Sequence, residues 1–283
     1  MQLAWTTDPH FDHVNVDSMD RWFEHVASQR PCGLIVTGDL SEGSDVVVQL
    51  RRLALTLGIP IYFVLGNHDF YQSSIARTRQ QVVSFARDQD QLFYLTDVGP
   101  IQLAEGVYLT GDDGWGDATI GNYEASPIRL RDFEQIEDFR DADPTERKAM
   151  LQREGADSAA RLRAKLESIP MDAAKVLIAT HLPPFAESCW YQGRTTDEFW
   201  APFFVCGSIG KMLLDVCSAR SHCDWIVLCG HTHHDGVATL ADNLTVYTGA
   251  ACYGDPGIEA MIQVEANGVR LAPFRGGKST HTI

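Results

Sequence analysis

The chain has 283 residues, 45% of them hydrophobic, and a formal net charge of −15. This length and apolar content are sufficient for a substantial buried core. The acidic balance argues against non-specific binding to nucleic acid and against docking on an anionic membrane, because both depend on Lys and Arg facing phosphates. A small-molecule partner fits such a surface better.

Apolar strands alternate with amphipathic helices through the first half of the chain, which is the pattern of an α/β fold. Strands are predicted at residues 2–6, 34–37, 61–64, 91–95, 101–104 and 106–110. The first helix has a core-facing stripe at helical spacing: Met19, Trp22, Phe23 and Val26. The second is expected to begin with Ser44 as its N-cap and to end at Gly58. The third ends near Arg87.

A glycine-rich acidic loop, 111–117, interrupts this alternation with three carboxylates. It lacks the spacing and the terminal Glu of an EF-hand, so we expect the rim of an active site in preference to a calcium loop. The charged stretch from Pro144 to Ile169 is expected to form a solvated packing helix, with Leu162 and Leu166 on its apolar face.

The remaining strands are predicted at residues 175–180, 224–229, 237–240, 244–248 and 258–264. The last three are expected to complete a second sheet. The segment 187–202 is unusually aromatic for a loop: Trp190, Tyr191, Phe199 and Trp200. It fits equally well a flap packed on the core and a lid that contacts substrate, where Trp115 would also shape the pocket.

Five short motifs follow predicted strands, where ligands bind in open α/β sheets. They are Asp8-Pro9-His10, Gly38-Asp39, Gly66-Asn67-His68-Asp69, the lone His181, and Gly230-His231-Thr232-His233. Carboxylates, imidazoles and amide oxygens all bind metal ions. A D-x-H or a G-D alone is common by chance, but all five in order are not accidental.

In this order the motifs resemble the pattern of the calcineurin-like metallophosphoesterase family: D-x-H, G-D, G-N-H-[DE], a lone H and G-H-x-H. The resemblance implies an α/β fold, a four-layer α/β/β/α sandwich of two mixed β-sheets flanked by helices, with a metal site at the C-terminal strand edges. Because the motifs span residues 8–233, one site requires most of the chain to fold as one unit. We therefore expect a single domain over 1–283.

The resemblance also implies two metal ions with seven protein ligands. One ion would be held by Asp8, His10, Asp39 and His233, and the other by Asp39, Asn67, His181 and His231. His231 and His233 would face the same side of an extended backbone, while Thr232 faces away. This donor set lacks a thiolate and suits manganese, iron or zinc.

His68 is absent from that ligand set, and the resemblance implies that it is the general acid that protonates the departing oxygen. Its neighbour Asp69 would orient the ring and favour its charged form, whereas the two nearby cations would disfavour that form, so the sequence does not fix its pKa. The alternative is that His68 only braces the loop. His13 is the next candidate for the proton donor, and His234 is expected to point away from the ligands.

The implied activity is hydrolysis of a small-molecule phosphodiester or phosphomonoester by in-line attack of a metal-bridging hydroxide. The stretch 40–43 after Gly38-Asp39 departs from the V-D-R-G of protein phosphatases, and Glu42 stands where purple acid phosphatases have a Tyr ligand. The segment Thr180–Pro184 is most similar to small bacterial phosphodiesterases. The alternatives are a phosphoprotein phosphatase and a non-catalytic binding module, and the complete ligand set argues against the latter.

Cellular location is indicated by the cysteines and by the absence of long apolar runs. Seven cysteines without C-x-x-C spacing fit reduced thiols. No run approaches the ~20 apolar residues of a membrane span, and Met1 leads directly into a strand. We expect a cytoplasmic protein that is not in a membrane, and no feature of the sequence indicates an oligomeric state.

Overall fold

Two six-stranded β-sheets lie at the centre of residues 1–273, which a computed structural model describes. The first sheet contains β1 (Gln2–Thr6), β2 (Gly33–Thr37), β3 (Ile61–Val64), β4 (Leu92–Tyr94), β13 (Ala260–Glu265) and β14 (Gly268–Pro273). The second contains β5 (Ile101–Ala104), β6 (Val107–Gly111), β7 (Lys175–Ala179), β10 (Asp224–Cys229), β11 (Gly236–Ala241) and β12 (Leu244–Thr248). A separate hairpin consists of β8 (Trp190–Tyr191) and β9 (Arg194–Thr195).

Both sheets are mixed. In the first, the spatial order is β14-β13-β1-β2-β3-β4, with β1 to β4 parallel and β13 antiparallel to both of its neighbours. In the second, the order is β11-β12-β10-β7-β6-β5, with four parallel strands in the middle and an antiparallel strand at each edge. Parallel strands of this kind need both faces covered.

Helices cover the outer faces of the two sheets. They are α1 (Val16–Ser28), α2 (Asp45–Leu57), α3 (Ile75–Arg87), α4 (Asp132–Gln135), α5 (Glu137–Arg140), α6 (Pro144–Ser168), α7 (Ala201–Phe204) and α8 (Gly207–Ala219). The first three pack on one sheet, and α6 and α8 on the other. Between the sheets, Leu3 and Trp5 of β1 meet Leu177 of β7 and Leu228 of β10. Each such side chain contributes about 1.5–3 kcal/mol by burial. The predicted α/β/β/α sandwich is confirmed.

Alternation along the strands divides the core into these layers. In β7, Val176 and Ile178 face the helices while Leu177 and Ala179 face the other sheet. This period of two follows from the pleat of an extended strand. Ser44 and Gly58 occupy the two ends of α2 as expected, but the backbone of Ser44 is helical and its side chain makes no capping bond.

Some features of the fold depend on strands that pair across long stretches of sequence, which periodicity does not predict. The expectation that the last strands complete the second sheet is wrong in part, because β13 pairs with β1 in the first sheet. Both α8 and β14 were not predicted. The expected single domain over 1–283 includes 274–283, which lie outside the described residues. In residues 1–273, no helix combines the length and apolarity needed to cross a bilayer.

Candidate metal centre

The five motifs meet where the carboxyl ends of the parallel strands of the two sheets come together. Asp8 and His10 follow β1, Asp39 follows β2, Asn67 follows β3, His181 follows β7, and His231 and His233 follow β10. Backbone hydrogen bonds join the loops: His10 N donates to Asp39 O at 3.0 Å, and Gly230 N donates to His181 O at 2.9 Å. The loops therefore form one continuous site.

The first cluster contains Asp8, His10, Asp39 and His233, whose donor atoms all lie within 4.8 Å of one another. Nε2 of His10 is 3.1 Å from Nε2 of His233 and 3.6 Å from Oδ2 of Asp39. Nε2 of His233 is 3.5 Å from Oδ1 of Asp8. These four residues are the predicted ligands of one ion.

The second cluster is centred on Nε2 of His181. This atom lies 3.1 Å from Oδ1 of Asn67, 3.2 Å from Nδ1 of His231 and 3.5 Å from Oδ1 of Asp39. The other ring nitrogen of His181 is 2.9 Å from the carbonyl oxygen of Thr37. When Nδ1 donates there, Nε2 of the neutral ring carries a lone pair, which is the usual arrangement of a metal-binding histidine.

The residues fit two ions because their ligand atoms converge on two points that share Asp39. Asp39 presents Oδ2 to the first cluster and Oδ1 to the second. In each cluster two imidazole nitrogens face each other at 3.1–3.2 Å. Oxygen and imidazole donors without thiolate suit first-row transition metals. The structure thus brings all seven predicted ligands together.

Several ligands have strained backbones. Asp8, His10, Asp39, His231 and His233 have φ values of 44°, 40°, 49°, 70° and 58°. Such left-handed conformations cost roughly 1–3 kcal/mol each in non-glycine residues and concentrate at functional sites. The expected extended backbone at 231–233 is therefore wrong. The two rings reach different clusters instead, one beside His181 and the other beside His10.

Two glycines let the backbone approach the carboxylates. A Cβ atom on Gly66 would overlap Oδ1 of Asp39, and one on Gly230 would overlap Oδ2 of Asp8 and Oγ1 of Thr7. Both carboxylates would have to move for any larger residue. This explains the glycines that open the third and fifth motifs better than turn formation alone.

Burial and neighbouring charges shift the pKa values of the site residues in different directions. Burial acts to raise the pKa of Asp8, but the imidazoles of His181, His233 and His10 outweigh it and hold that pKa below its ordinary value. Burial, together with the charge of Asp8, raises the pKa of Asp39. Burial lowers the pKa of His10 and of His231. Neutral imidazoles are the form that binds metal ions.

His68 lies beside the clusters. Its ring contacts His10 at a centroid distance of 4.8 Å and stacks on Tyr71 at 4.4 Å, with 25° between the planes. Its Nδ1 is buried, has no hydrogen-bond partner and is 4.0 Å from Oε1 of Glu42. Burial and the nearby His181 lower the pKa of His68 to about 3.

The expectation that Asp69 orients the His68 ring is wrong. Oδ1 of Asp69 accepts from the backbone N–H of Ser41 at 3.0 Å, and Oδ2 accepts from that of Gly66 at 2.7 Å. Asp69 is fully buried, and burial raises its pKa. Its role is to join the loops after β2 and β3, because a buried carboxylate requires donors.

Two residues of the site were not predicted. Asp132 of α4 accepts a hydrogen bond from Nδ2 of Asn67 at 3.0 Å, and nothing in its local sequence indicates this. Tyr253 lies over His10 and His233, with ring centroids 4.5 Å and 5.1 Å away. His13 is 48% exposed, pairs with Asp12 and contacts Tyr253.

The acidic loop 111–117 is not a rim. Its carboxylates Asp112, Asp113 and Asp117 are fully buried and bonded to internal partners. Oδ1 and Oδ2 of Asp112 accept from Arg161 at 2.8 Å and 2.9 Å, and Asp113 accepts from Nε of Arg79 at 3.0 Å. The expectation of an active-site rim loop is wrong for these residues. Trp115 and Gly116 of this loop line a small cavity together with Asn67 and His231.

The aromatic segment 187–202 combines packed and exposed parts. Trp190 packs on the backbone of Gly236, whereas Tyr191 and Trp200 are 49% and 43% exposed. Tyr191 contacts the ring of His234, which does not join the clusters. Trp200 contacts Phe204, whose ring lies 4.3 Å from that of His231. The segment therefore reaches the second cluster through α7.

Comparison with known proteins gives matches by sequence profile and by structure. The profile of calcineurin-like phosphoesterases matches residues 1–235. No curated protein sequence matches the chain at a significant level.

Three solved structures resemble the fold. The phosphopantetheinyl hydrolase PptH from Mycobacterium tuberculosis is 17% identical, with a TM-score of 0.64 over 89% of this chain and 90% of that one. A dimetal phosphatase from Danio rerio is 15% identical, with a TM-score of 0.58 over 93% and 92%. The protein TT1561 from Thermus thermophilus is 12% identical, with a TM-score of 0.54 over 97% and 99%. Identities this low indicate a shared fold alone.

Proposed function

Because the chain belongs to the calcineurin-like phosphoesterase family, we propose that it is a dinuclear metal-dependent phosphoesterase acting on a small-molecule phosphodiester or phosphomonoester. One observation carries the proposal. The buried carboxylate of Asp39 faces two clusters, with Oδ2 3.6 Å from Nε2 of His10 and Oδ1 3.5 Å from Nε2 of His181. A carboxylate placed in this way suits a bridging ligand between two ions.

The donor set supports manganese, iron or zinc in both positions. Asp8, His10, Asp39 and His233 would hold one ion, and Asp39, Asn67, His181 and His231 the other. Two ions in such a site act as Lewis acids toward phosphoryl oxygens and lower the pKa of water. The two carboxylates neutralise only part of their charge, which leaves the site attractive to a phosphate despite the acidic chain.

We assign to His68 the protonation of the departing oxygen. Its ring lies beside His10 of the first cluster, and its Nδ1 has no hydrogen-bond partner. The ring of the free site is neutral because burial lowers its pKa to about 3. The negative charge of a bound phosphate ester favours the protonated ring, so His68 would act once the substrate is in place. Asp69 contributes only through the loop backbone.

The surroundings of the site support a small substrate with an apolar or planar part. Trp115 and Phe203 line a cavity beside Asn67 that is too small for a substrate, whereas Tyr191, Trp200 and Tyr253 are half exposed around the site. Aromatic walls with a few polar anchors are typical of small-molecule pockets. Two proteins of similar fold are described as a phosphopantetheinyl hydrolase and a dimetal phosphatase.

Two alternative functions differ from this proposal, one in its substrate and the other in lacking catalysis. A phosphoprotein phosphatase would use the same chemistry on a protein surface, but the stretch 40–43 lacks the V-D-R-G of those enzymes. A non-catalytic binding module would not need to retain seven converging ligands. The single domain and the cytoplasmic location also stay as proposals, the latter supported by seven unpaired cysteines.

The test is an assay of the manganese-loaded protein on 4-nitrophenyl phosphate, bis(4-nitrophenyl) phosphate, simple alkyl phosphate esters and a phosphoserine peptide. We expect turnover of at least one small ester, its loss with a chelator and its return with added manganese. Asp39→Ala serves as the inactive control. If protein shown by elemental analysis to hold two ions hydrolyses only the peptide, or nothing, the proposed function is wrong.

A further inference from the structure

One carboxylate oxygen in the wall of the site accepts two hydrogen bonds. Oδ1 of Asp132 accepts from Nδ2 of Asn67 at 3.0 Å and from the hydroxyl of Tyr71 at 2.7 Å. Asp132 is 8% exposed and lies 65 residues after Asn67 in the chain. None of the five motifs includes it.

The contact with Asn67 selects the orientation of an amide. The side chain of asparagine has two orientations of nearly equal shape, and only the oxygen can serve as a metal ligand. Oδ1 of Asp132 is a hydrogen-bond acceptor for both Tyr71 and Asn67. The hydrogen-bond donor of the asparagine amide is Nδ2, so this nitrogen has to face Asp132. The amide oxygen then faces Nε2 of His181 at 3.1 Å, inside the second cluster.

The contact with Tyr71 reaches His68. The ring of Tyr71 stacks on the imidazole at 4.4 Å, with 25° between the planes, and its hydroxyl is anchored on Asp132. The backbone N–H of Tyr71 donates to the carbonyl of His68 at 3.0 Å. The position of the His68 ring therefore depends on a tyrosine that Asp132 holds by its far end.

Backbone hydrogen bonds fix α4 against this turn. Gln72 N donates to Gln135 O at 2.8 Å, and Glu137 N donates to Ser73 O at 3.0 Å. This reciprocal pair holds the segment after Tyr71 against the end of α4. A side chain held within small tolerances is what a ligand-orienting residue requires.

We propose that Asp132 is a positioning residue that turns the oxygen of Asn67 toward the second ion and, through Tyr71, places the ring of His68. Only the part of this inference that concerns His68 rests on the proposed function, because ion binding at Asn67 can be measured without a substrate. The ligand of one ion and the proton donor then share a single support.

The test is a calorimetric titration of the metal-free protein with Mn²⁺. We expect two sites in the wild-type protein. In Asp132→Ala and Asp132→Ser, affinity at one site should fall about 10–100-fold, as for lost outer-shell partners of metal ligands, and the other should stay within about threefold. Asp132→Asn keeps an oxygen acceptor and should restore both sites. Serine is the second truncation in case the alanine variant does not fold.

Asp138→Ala is the matched control. Its carboxylate lies six residues further on and accepts from the backbone N–H of Ile75 at 2.8 Å, outside the clusters. This variant should lose stability and keep both ions. Tyr71→Phe should also keep both ions, because Asn67 remains held. Its activity should fall more on an alkyl ester than on a nitrophenyl ester, and by less than on removal of His68.

The inference is overturned if the folded truncations bind both Mn²⁺ ions with wild-type affinity, or if Asp132→Asn loses the second site as the truncations do. A wild-type protein with a single Mn²⁺ site would overturn it too. If the wild-type protein binds two ions but hydrolyses no phosphate ester, the proposed function fails, and the titration still decides whether Asp132 orients Asn67.

Discussion

Asp112 and Asp8 are both buried aspartates just beyond the end of a central strand, yet their surroundings differ. Asp112 meets the guanidinium of Arg161 in a paired hydrogen bond at 2.8 Å and 2.9 Å. Asp8 meets imidazoles, the nearest being Nε2 of His233 at 3.5 Å. We refer to Asp112, Asp113 and Asp117 as the structural carboxylates and to Asp8 and Asp39 as the site carboxylates.

The structural carboxylates all accept hydrogen bonds from partners within the protein. Asp113 accepts from Arg79, Tyr94 and Thr96, and Asp117 accepts from the first N–H groups of α8. The site carboxylates also accept hydrogen bonds, Asp8 from the hydroxyl of Thr7 and the backbone N–H of His231, and Asp39 from the backbone N–H of His68. Within residues 1–273, however, their ion-pair partners are imidazoles and not Lys or Arg. A buried charge costs several kcal/mol unless it is paired. Imidazole partners therefore fit a site for ions, whereas Asp112 and Asp113 are already paired with Arg161 and Arg79.

One structural carboxylate, Asp113, also contacts loops that carry ligands. Oδ1 of Asp113 accepts from the backbone N–H of Leu65 at 2.9 Å, and its carbonyl accepts from the N–H of His181 at 3.0 Å. A structural carboxylate thus supports two of the loops that carry ligands. Five predictions test how far the two groups differ.

The largest effect is expected at the shared carboxylate. Asp39→Ala should remove both ions and all phosphoesterase activity, because its two oxygens face both clusters. Asn67→Ala should weaken mainly one ion. Elemental analysis of each purified variant measures this. Equal losses in the two variants would show that Asp39 does not bridge.

The next largest effect is expected at His68. Its Nδ1 has no hydrogen-bond partner, and it is not a predicted ligand. Removing a positioned proton donor costs about 10²–10⁴-fold when the leaving group is a basic alkoxide. His68→Ala should therefore lose far more activity on an alkyl ester than on a nitrophenyl ester, with metal content intact. An equal loss on both esters, or a loss of metal, would make His68 a structural residue, and His13 would be tested next.

Removing the arginine that pairs with a structural carboxylate should destabilise the fold. Arg161→Ala leaves Asp112 buried without a counter-charge and should lower the free energy of unfolding by about 3–5 kcal/mol. Urea denaturation of the metal-free protein measures the change. Arg87→Ala, at an exposed pair with Asp97, is the control and should cost about 1 kcal/mol or less. Similar losses in both would mean that the buried pair contributes no more than a surface one.

Of the site carboxylates, Asp39 should respond in the opposite direction when no metal is bound. Burial raises the pKa of Asp39 in the folded protein, so its ionised form opposes folding above its unfolded pKa. That cost is absent below about pH 4 and complete once the pH exceeds the raised value. Metal-free Asp39→Asn should thus be more stable than the wild-type protein at pH 7, with the difference vanishing toward pH 4. A destabilised variant at pH 7 would place Asp39 among the structural carboxylates.

The smallest effect is expected at the rim, which belongs to neither group. Trp200 is 43% exposed and touches the second cluster only through Phe204. Trp200→Ala should raise KM with little change in kcat, which is the result of losing uniform binding. Val237→Ala, at a 53% exposed position on β11, is the control. If both variants change neither parameter, the aromatic segment is a packed flap and not part of the substrate pocket.

Local sequence was enough to predict most strands of the two sheets and the order of the ligand-bearing motifs. Each motif directly follows an apolar strand, so position along the chain already places it at a sheet edge. The two-sheet sandwich and the family were predicted correctly on this basis. The seven proposed ligands are likewise brought together.

Tertiary structure alone decided which carboxylates are paired. Asp112 looks like a ligand in sequence but meets Arg161, 49 residues away, and Asp132 looks unremarkable but meets Asn67. Asp69 was expected to act on its neighbour, and its oxygens accept instead from the backbone of other loop residues. Periodicity and motifs describe only what lies within a few residues. The partner of a buried charge is set by which distant segments pack together, and this is absent from any local pattern.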